Sequence, residues 1–271
     1  MTPTFTDISD EYIKKFINML SKQYDVDFSG YNVSFLRRRI ASRMNRTSIY
    51  SVDKYYEHLQ NSPHELSMLL QNLTINISEF MRNPDVFDII ATRIIPEIIA
   101  NSKNNQIRFW TAGCSKGEEP YSLAIILSKL GFNKNQRAII IATDIDDIAL
   151  QEARQGIYKE SSLKNLSPRD KKIYFHNSDG KYRVKSFLKK MVIFKKHNIL
   201  TGLDLGKFNV IICRNVSIYF GKQLQHKMYK RFADDLYHGG YLIIGKSEII
   251  PREFDDVLKS VDLEHRIYRK V

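Results

Sequence analysis

Two glycines and a carboxylate follow predicted strands in the middle of the sequence, where they could hold a ligand. Gly113 and Gly117 come directly after an apolar strand at residues 107–111, and Asp144 comes directly after a second one at residues 138–143. In open α/β sheets, ligands bind beyond the carboxyl ends of the strands. Glycines permit a tight turn, and a carboxylate can accept hydrogen bonds from both hydroxyls of a ribose. The two turns together favour a site for an adenosine-containing cofactor.

Two simpler interpretations stay open on this pattern alone. Asp144 could be an ordinary helix N-cap. Dinucleotide-dependent enzymes and methyl-donor enzymes share the arrangement, so it does not choose a reaction.

The elements around these turns alternate between strand and helix. Pro120 lies in the first turn of an amphipathic helix, a second apolar run occupies residues 208–213, and a helix with Leu224 to Leu236 on one face is predicted to end at Gly239-Gly240. Residues 241–245 read as a strand, and residues 265–271 are expected to pair last, at the edge. This alternation predicts an α/β fold with a doubly wound, mostly parallel sheet.

One stretch interrupts the alternation. Residues 182–184 and 191–194 are rich in β-formers, and Asp179-Gly180 is a turn signal. We therefore expect a small antiparallel β-subdomain at about residues 172–195.

The first part of the chain reads as helical. Apolar residues recur at steps of three and four, as in Val33, Leu36, Ile40 and Met44. We expect a helical N-terminal domain at residues 1–72, a linker at 73–85 and the α/β domain at 86–271. One predicted helix is unusually basic, with no acidic residue between positions 28 and 52. Its arginines are Arg37, Arg38, Arg39, Arg43 and Arg46.

Composition narrows the class of protein. Two cysteines are too few for a disulfide framework, the seven histidines are scattered, and we expect no metal site. We see no secretory signal and no apolar run near the roughly 18 residues that a membrane span needs, so we expect a soluble, cytoplasmic protein. The net charge of +12 suggests a polyanionic partner, although a merely solvated surface explains it equally well.

Several longer segments resemble the CheR family of chemotaxis receptor methyltransferases. The most specific are GCSKGEEPYS at residues 113–122 and CRNVSIYF at residues 213–220. LTINISEFMR at 73–82, ATDI at 142–145, HNIL at 197–200 and GKSE at 245–248 stand in the family's order. The resemblance covers nearly the whole chain from residue 30 onward.

The resemblance implies a class I methyltransferase fold that binds S-adenosylmethionine and yields S-adenosylhomocysteine. It also implies that Arg82 and Tyr219 lie near the transferred methyl group and the incoming carboxylate. Without the motifs, Arg82 would read as a surface residue of the linker, Tyr219 as core, and Asn198 and Asn215 as turn residues. The residues implied to surround the cofactor are Asn76, Ser78, Arg82, Glu118, Asp144, Asn198, Ile199, Arg214 and Asn215.

The implied reaction is methylation of glutamate side chains in chemoreceptors. A glutamate carboxylate has a pKa of about 4.3, so at neutral pH it is already a nucleophile and no catalytic base is required. The protein must align the reacting atoms and exclude water. We expect Cys114 and Cys213 to pack near the cofactor without a catalytic role.

Partner predictions follow from the same resemblance. The five arginines of the basic helix are expected to steer an acidic, helical receptor surface into place. Some relatives grip a short peptide at the receptor's C-terminus with the β-subdomain. Residues 175–182 are shorter than in those relatives and lack their glycine-rich turn, so we expect no dependence on such a tether.

Two other functions compete. The charge suggests a nucleic-acid methyltransferase, but the sequence lacks both the Pro-Pro-aromatic motif of amino-directed enzymes and the Pro-Cys dipeptide of cytosine-C5 enzymes. A non-catalytic module that binds the cofactor and signals by docking is the second alternative, and the presence of Arg82 and Tyr219 speaks against it.

Overall fold

The computed structural model describes residues 8–24, 28–73, 78–101, 106–132 and 138–271. The chain forms two compact units. The helical unit comprises Met1–Asn76 and Tyr219–Gln225, and the sheet unit comprises Ile77–Ile218 and His226–Val271. The sequence divided the chain at residue 72 and did not assign residues 219–225 to the helical part.

In the part of the helical unit that the structure describes, four helices precede the short returning segment. Their apolar stripes form its core, in which Phe16, Leu20, Leu36, Ile40 and Met44 are buried. The N-cap residues Asn32 and Ser51 accept backbone N–H bonds from α2 and α3 and so fix where these helices begin. The helices are α1 (Asp10–Tyr24), α2 (Val33–Thr47), α3 (Val52–Asn61) and α4 (Pro63–Leu73).

The returning segment binds the loop before α2. The backbone N–H of Asn32 donates to the carbonyl of Tyr219 at 3.0 Å, and that of Gly221 donates to the carbonyl of Gly30 at 2.8 Å. The rings of Tyr31 and Phe220 meet edge to face with centroids 5.0 Å apart. These contacts explain why residues far apart in the sequence belong to one unit.

The sheet unit is built on seven strands in the order β6-β2-β1-β7-β8-β10-β9. The first five of these are parallel, and β10 is antiparallel to both neighbours. The strands are β1 (Ile107–Ala112), β2 (Ala138–Asp144), β6 (Val192–Lys196), β7 (Phe208–Cys213), β8 (Leu236–Ile244), β9 (Leu258–Asp262) and β10 (Ile267–Lys270). The predicted doubly wound, mostly parallel sheet is confirmed.

Helices flank this sheet, as apolar central strands require. Trp110 of β1 is fully buried, and its indole N–H donates to the Thr143 hydroxyl of β2 at 2.8 Å. The helices are α5 (Pro84–Ile89), which continues through a π-helical turn (Ile90–Ile94) into α6 (Ile95–Asn101), then α7 (Glu118–Lys129), α8 (Asp147–Gln155), α9 (Pro168–Tyr174), α10 (Ser186–Lys189) and α11 (Lys222–Asp235).

The predicted small antiparallel sheet is present and has three strands, but its membership differs from the prediction. Its strands are β3 (Ile157–Lys159), β4 (Phe175–Ser178) and β5 (Lys181–Val184), in the order β3-β5-β4. The prediction that residues 191–194 belong to it is wrong, because β6 pairs in parallel with β2 in the main sheet. The β3 strand was missed because three residues show too little alternation.

Two further details differ from the sequence prediction. Gly239 and Gly240 do not close α11, which ends at Asp235. They lie within β8, where the register against β7 shifts. The last strand is not at the edge either, since β10 lies between β8 and β9.

Candidate cofactor site

The turn after β1 is held against the end of β2. Gly113 and Gly117 have φ angles of +75° and +91°, which favour glycine. A Cβ atom on Gly113 would lie 2.6 Å from a methyl group of Val216, so the turn also has no room for a side chain. The backbone N–H groups of Gly113 and Cys114 donate to the carbonyl of Thr143 at 2.8 and 2.9 Å.

Asp144 organises this turn from the tip of β2. Its side chain is buried, and its two oxygens accept the backbone N–H groups of Ser115 at 2.7 Å and Asp146 at 2.9 Å. Burial raises the pKa of the carboxyl to about 6. The N-cap of α8 is Asp146, which accepts from Ile148 and Ala149, so Asp144 is not the helix cap that the sequence also allowed.

Glu118 begins α7 directly after the glycine turn. Its side chain is buried, and burial raises the pKa of the carboxyl to about 7, against a hydrogen bond from Ser78 that lowers it. Among the described residues, Oε2 of Glu118 has no hydrogen-bond partner. A buried oxygen of this kind is an acceptor available to a bound ligand.

Arg214 follows β7 and lies in the same buried region. Its Nη1 is 3.5 Å from Oε2 of Glu119, and its Nη2 donates to the side-chain oxygen of Asn83. Burial raises the pKa of Glu119, while the charges of Arg214 and Arg82 lower it. Glu119 was not among the predicted site residues, although it stands in the quoted motif.

The loop after β7 is fixed by Glu248, which lies in the GKSE segment at residues 245–248 and had no predicted role. This carboxylate is 2% exposed and accepts the backbone N–H groups of Asn215 at 2.7 Å, Val216 at 2.9 Å, Ser217 at 2.7 Å and Gly245 at 2.6 Å. It accepts the Ser217 hydroxyl as well, at 2.7 Å. Asn215 has a φ angle of +62°, which Asn tolerates better than most residues. Glu248 thereby sets the backbone that carries Arg214 and Asn215.

Asn198 and Ile199 lie in the loop after β6. The side chain of Asn198 accepts the backbone N–H of Leu200 at 2.8 Å, and Arg231 donates to the carbonyl of Ile199 at 3.1 Å. The loop starts next to Asp144, because the backbone N–H of His197 donates to the carbonyl of Asp144 at 2.9 Å. Asn198 therefore has the turn role that its residue type suggests. Its side chain is half-buried at the same sheet edge.

Arg82 lies between two residues with left-handed backbone. Met81 has a φ angle of +50° and Asn83 one of +59°. Asn tolerates this region, but a non-glycine residue such as Met81 costs on the order of 1–3 kcal/mol there and persists only when its surroundings enforce it. Strain of this kind clusters at functional sites.

The buried polar atoms at this sheet edge fit a polar cofactor. Within the described ranges, Ser115 Oγ, Glu118 Oε2 and Arg214 Nε are buried and without hydrogen-bond partners. Buried polar groups are normally paired, so such a cluster marks a place where a ligand completes the bonding. Hydroxyl, carboxylate and guanidinium groups match the hydroxyls, amino group and carboxylate of an amino-acid-bearing nucleoside. Asn76 lies outside the described residues.

Tyr219 belongs to the helical unit. Its ring lies 4.7 Å from that of Phe35, centroid to centroid, and its side chain is half-buried, so it is not the fully packed core residue that the sequence also allowed.

The arginines of α2 divide into exposed and engaged side chains. Arg38 and Arg46 are exposed, and Arg39 lies over the Phe35 ring at 5.5 Å. Arg37 donates to the carbonyl of Ile8 at 2.9 Å and pairs with an α1 carboxylate.

Arg43 was predicted to face a receptor, but in the structure its side chain is buried. It is 7% exposed, and its Nε donates to Oε1 of Glu65 at 3.0 Å. The hydroxyl of Tyr55 donates to the same oxygen at 2.9 Å. Arg43 therefore belongs to a buried ion pair within the helical unit.

Cys114 and Cys213 are buried free thiols, and burial raises the pKa of both. Raised pKa values keep them protonated, which agrees with packing and not with nucleophilic catalysis. Among the helices of the described chain, we find none with the length and apolar character that crossing a bilayer would require.

The strand order and the polar cluster at the carboxyl ends of the parallel strands define a class I S-adenosylmethionine-dependent methyltransferase. Two family models match the chain. The CheR methyltransferase SAM-binding domain matches residues 76–267, and the CheR methyltransferase all-alpha domain matches residues 11–74. The chain belongs to the CheR methyltransferase family and has its S-adenosylmethionine-binding domain.

Several relatives match over most of their length. A chemotaxis protein methyltransferase of Listeria innocua is 31% identical over 244 residues, which is 90% of this chain and 92% of that protein. One of Borreliella burgdorferi is 34% identical over 254 residues, covering 90% and 89%. One of Vibrio anguillarum is 31% identical over 249 residues, covering 89% and 90%.

Proposed function

We propose that this protein transfers the methyl group of S-adenosylmethionine to glutamate side chains of chemoreceptors, forming glutamyl methyl esters during chemotactic adaptation. The match to the CheR methyltransferase family in both parts of the chain carries the proposal. The relatives named above are chemotaxis protein methyltransferases, which supports a receptor as substrate.

The proposed reaction requires no catalytic base from the protein. S-adenosylmethionine supplies a methyl group on a positively charged sulfur. The receiving glutamate is ionised at neutral pH, so the protein's task is orientation and exclusion of water. Buried carboxylates such as Asp144 and Glu118 suit a cationic cofactor that also carries hydroxyl groups.

We assign Arg82 and Tyr219 to the incoming carboxylate. An arginine and a phenol can each donate directed hydrogen bonds to a carboxylate oxygen. A strong ion pair with Arg82 would stabilise the ground state and slow transfer, so its role is positioning. Burial raises the pKa of Glu119, and the charge of Arg82 acts against this rise. The hydrogen bond from Lys164 lowers the pKa of Glu79, and the charge of Arg82 adds to that lowering. These carboxylates temper the attraction of Arg82 for a substrate anion.

The exposed arginines of α2 serve receptor recognition in this proposal. Arg38 and Arg46 are exposed and Arg39 is half-buried, so these three remain available to steer an acidic helical surface. Arg43 is excluded by its burial, and Arg37 is engaged with α1. A substrate in the cytoplasmic region of receptors places the enzyme in the cytoplasm.

We also propose that receptor methylation does not depend on a C-terminal peptide tether. The β4–β5 hairpin turns through only Asp179 and Gly180, both with positive φ, so it is a minimal two-residue turn. Tight binding of a receptor C-terminal peptide by the isolated protein would contradict this.

The deciding experiment is transfer of labelled methyl from S-adenosylmethionine to receptor-containing membranes. We expect incorporation into the receptor that is lost on mild base treatment, as esters are. A receptor with its methylated glutamates replaced by alanine is the control. Label in nucleic acid, with binding that falls steeply as salt rises, would favour a nucleic-acid methyltransferase. Cofactor binding without transfer to any acceptor would favour a non-catalytic module.

A further inference from the structure

The segment that carries Arg82 is bound by side chains from outside it. The Met81 N–H donates to the Ser122 hydroxyl at 2.8 Å, and that hydroxyl donates to the carbonyl of Glu118 at 2.7 Å. The Phe80 N–H donates to the carbonyl of Ser162 at 2.9 Å. The backbone just before Arg82 is thus tied to α7 on one side and to the segment after β3 on the other.

Asn165 supplies the remaining bonds. Its Nδ2 atom lies 3.2 Å from the carbonyl oxygen of Phe80, 3.4 Å from that of Met81 and 3.2 Å from Oε1 of Glu79. Three acceptors surround this atom, so the amide nitrogen, and not the amide oxygen, must face them. One side chain therefore contacts three successive residues before Arg82.

We propose that Asn165 is a positioning residue for methyl transfer, acting through the backbone of Phe80 and Met81 to aim the Arg82 side chain. The inference rests on the role proposed above for Arg82. Asn165 itself does not contact the reacting groups. Its bonds hold Met81 in a left-handed conformation that a methionine would otherwise leave.

An amide is the side chain that this position needs. Aspartate has the same shape but offers only acceptors to three oxygen atoms, and alanine offers nothing. The ion pair between Lys164 and Glu79, at 2.6 Å, ties the same segment, but the lysine side chain is 61% exposed and contributes little in water. Asn165 is therefore the main side-chain contact from this side, next to the backbone bond from the Phe80 N–H to Ser162.

Tryptic cleavage after Arg82 reports directly on how firmly Asn165 holds the segment before it. The peptide bond from Arg82 to Asn83 is a trypsin site, and cleavage of a folded protein follows the population of locally opened molecules. We expect Asn165→Ala and Asn165→Asp each to raise the cleavage rate at this bond about tenfold, which corresponds to about 1.4 kcal/mol of opening free energy. Mass spectrometry of the 82/83 fragments distinguishes this bond from other sites. Asn177→Ala, an exposed asparagine of β4, is the matched control and should leave the rate unchanged.

Methyl transfer to receptor membranes is measured on the same proteins below their unfolding temperature. We expect kcat to fall about tenfold in both Asn165 variants, with KM for S-adenosylmethionine changed less than threefold, and no change in Asn177→Ala. If Asn165 only stabilised the fold, its variants would have a lower unfolding temperature but would not lose kcat at a nearly constant KM. Asp at position 165 keeps the side-chain volume, so it provides the test where the alanine variant folds poorly.

The outcomes separate the two proposals. Unchanged cleavage, or faster cleavage with unchanged kcat, overturns the positioning role of Asn165. A wild-type protein that methylates no receptor overturns the proposed function instead. In that case the cleavage rates alone decide whether Asn165 holds the segment.

Discussion

The carboxylate of Asp144 accepts the backbone N–H of Ser115 through Oδ2 at 2.7 Å. This bond joins the tip of β2 to the glycine turn that follows β1. A single acidic residue therefore shapes the turn, and its other oxygen accepts the N–H of Asp146. A carboxylate has about four acceptor sites, so Asp144 can still receive a ligand hydroxyl.

We expect Asp144→Ala to abolish measurable cofactor binding. The variant removes the acceptor for ligand hydroxyls and also releases the Ser115 N–H. Each charge-assisted hydrogen bond is worth about 1.5–3 kcal/mol, so affinity should fall at least about 100-fold. Isothermal titration with S-adenosylhomocysteine measures this. Asp147→Ala, an exposed aspartate of α8, should bind as the wild type does. Equal affinities in the two variants would refute our placement of the site.

Cofactor affinity should depend on pH between about 5 and 8. Burial raises the pKa of Asp144 to about 6 and of Glu118 to about 7, so both carboxyls become neutral as the pH falls through this range. A cationic cofactor prefers ionised partners, so affinity for S-adenosylmethionine should fall about tenfold from pH 8 to pH 5.5. Affinity for the product S-adenosylhomocysteine, whose sulfur carries no charge, should fall less.

Proton release provides the independent check. A cation that binds beside Glu118 lowers its pKa, so binding at pH 6.5 should release protons. Calorimetry in buffers of different ionisation enthalpy counts them. Glu118→Gln should reduce the release, and an unaltered count in that variant would rule out Glu118 as its source.

The sequence predicted the placement of this site better than its internal bonding. Parallel strands share one edge for their carboxyl ends, so Gly113, Gly117 and Asp144 could be brought together from strand positions alone. The role of Glu248 could not, because all its partners except Gly245 lie in a loop 31–33 residues earlier and no local pattern pairs them. Only the structure shows that Asn215 and Gly245 share this acceptor.

Two misassignments have physical causes of the same kind. Residues 191–194 form an apolar run, and such a run does not reveal which sheet it joins. Arg43 stands among arginines on a basic helix, and its partner Glu65 lies on α4, 22 residues away. Helical spacing placed Arg43 with Arg39 and Arg46 but carried no information about the opposing helix.

The Arg43–Glu65 pair should contribute strongly to stability. Arg43→Met leaves the Glu65 carboxylate buried with only the Tyr55 hydroxyl as a described partner, and uncompensated buried charges cost about 3–5 kcal/mol. When urea unfolding is followed by a signal from the helical unit, the free energy of unfolding should fall by about this amount. Arg46→Ala, at an exposed position on the same helix, should stay within about 0.5 kcal/mol of wild type. A similar shift in both variants would contradict the buried pair.

Replacing Glu248 should disorganise the loop after β7. In Glu248→Gln, an amide nitrogen would face backbone N–H groups in place of an acceptor, leaving buried donors unpaired at a cost of about 3 kcal/mol. Thermal unfolding and affinity for S-adenosylhomocysteine should both decline. Glu264→Gln, which changes an exposed carboxylate, should alter neither. Unchanged affinity in a folded Glu248→Gln protein would show that the loop does not form part of the cofactor site.

Tyr219→Phe should separate binding from transfer. The ring packs against Phe35 and is retained in the variant, so the helical unit should keep its stability. Loss of the hydroxyl removes one directed hydrogen bond to the substrate carboxylate, which we expect to slow transfer about tenfold while affinity for S-adenosylhomocysteine stays within twofold. Labelled methyl transfer to receptor membranes and calorimetry measure the two quantities. Tyr237→Phe, at a tyrosine that is 40% exposed, is the matched control. Normal transfer by Tyr219→Phe would remove the hydroxyl from the mechanism and leave Arg82 as the proposed contact to the carboxylate.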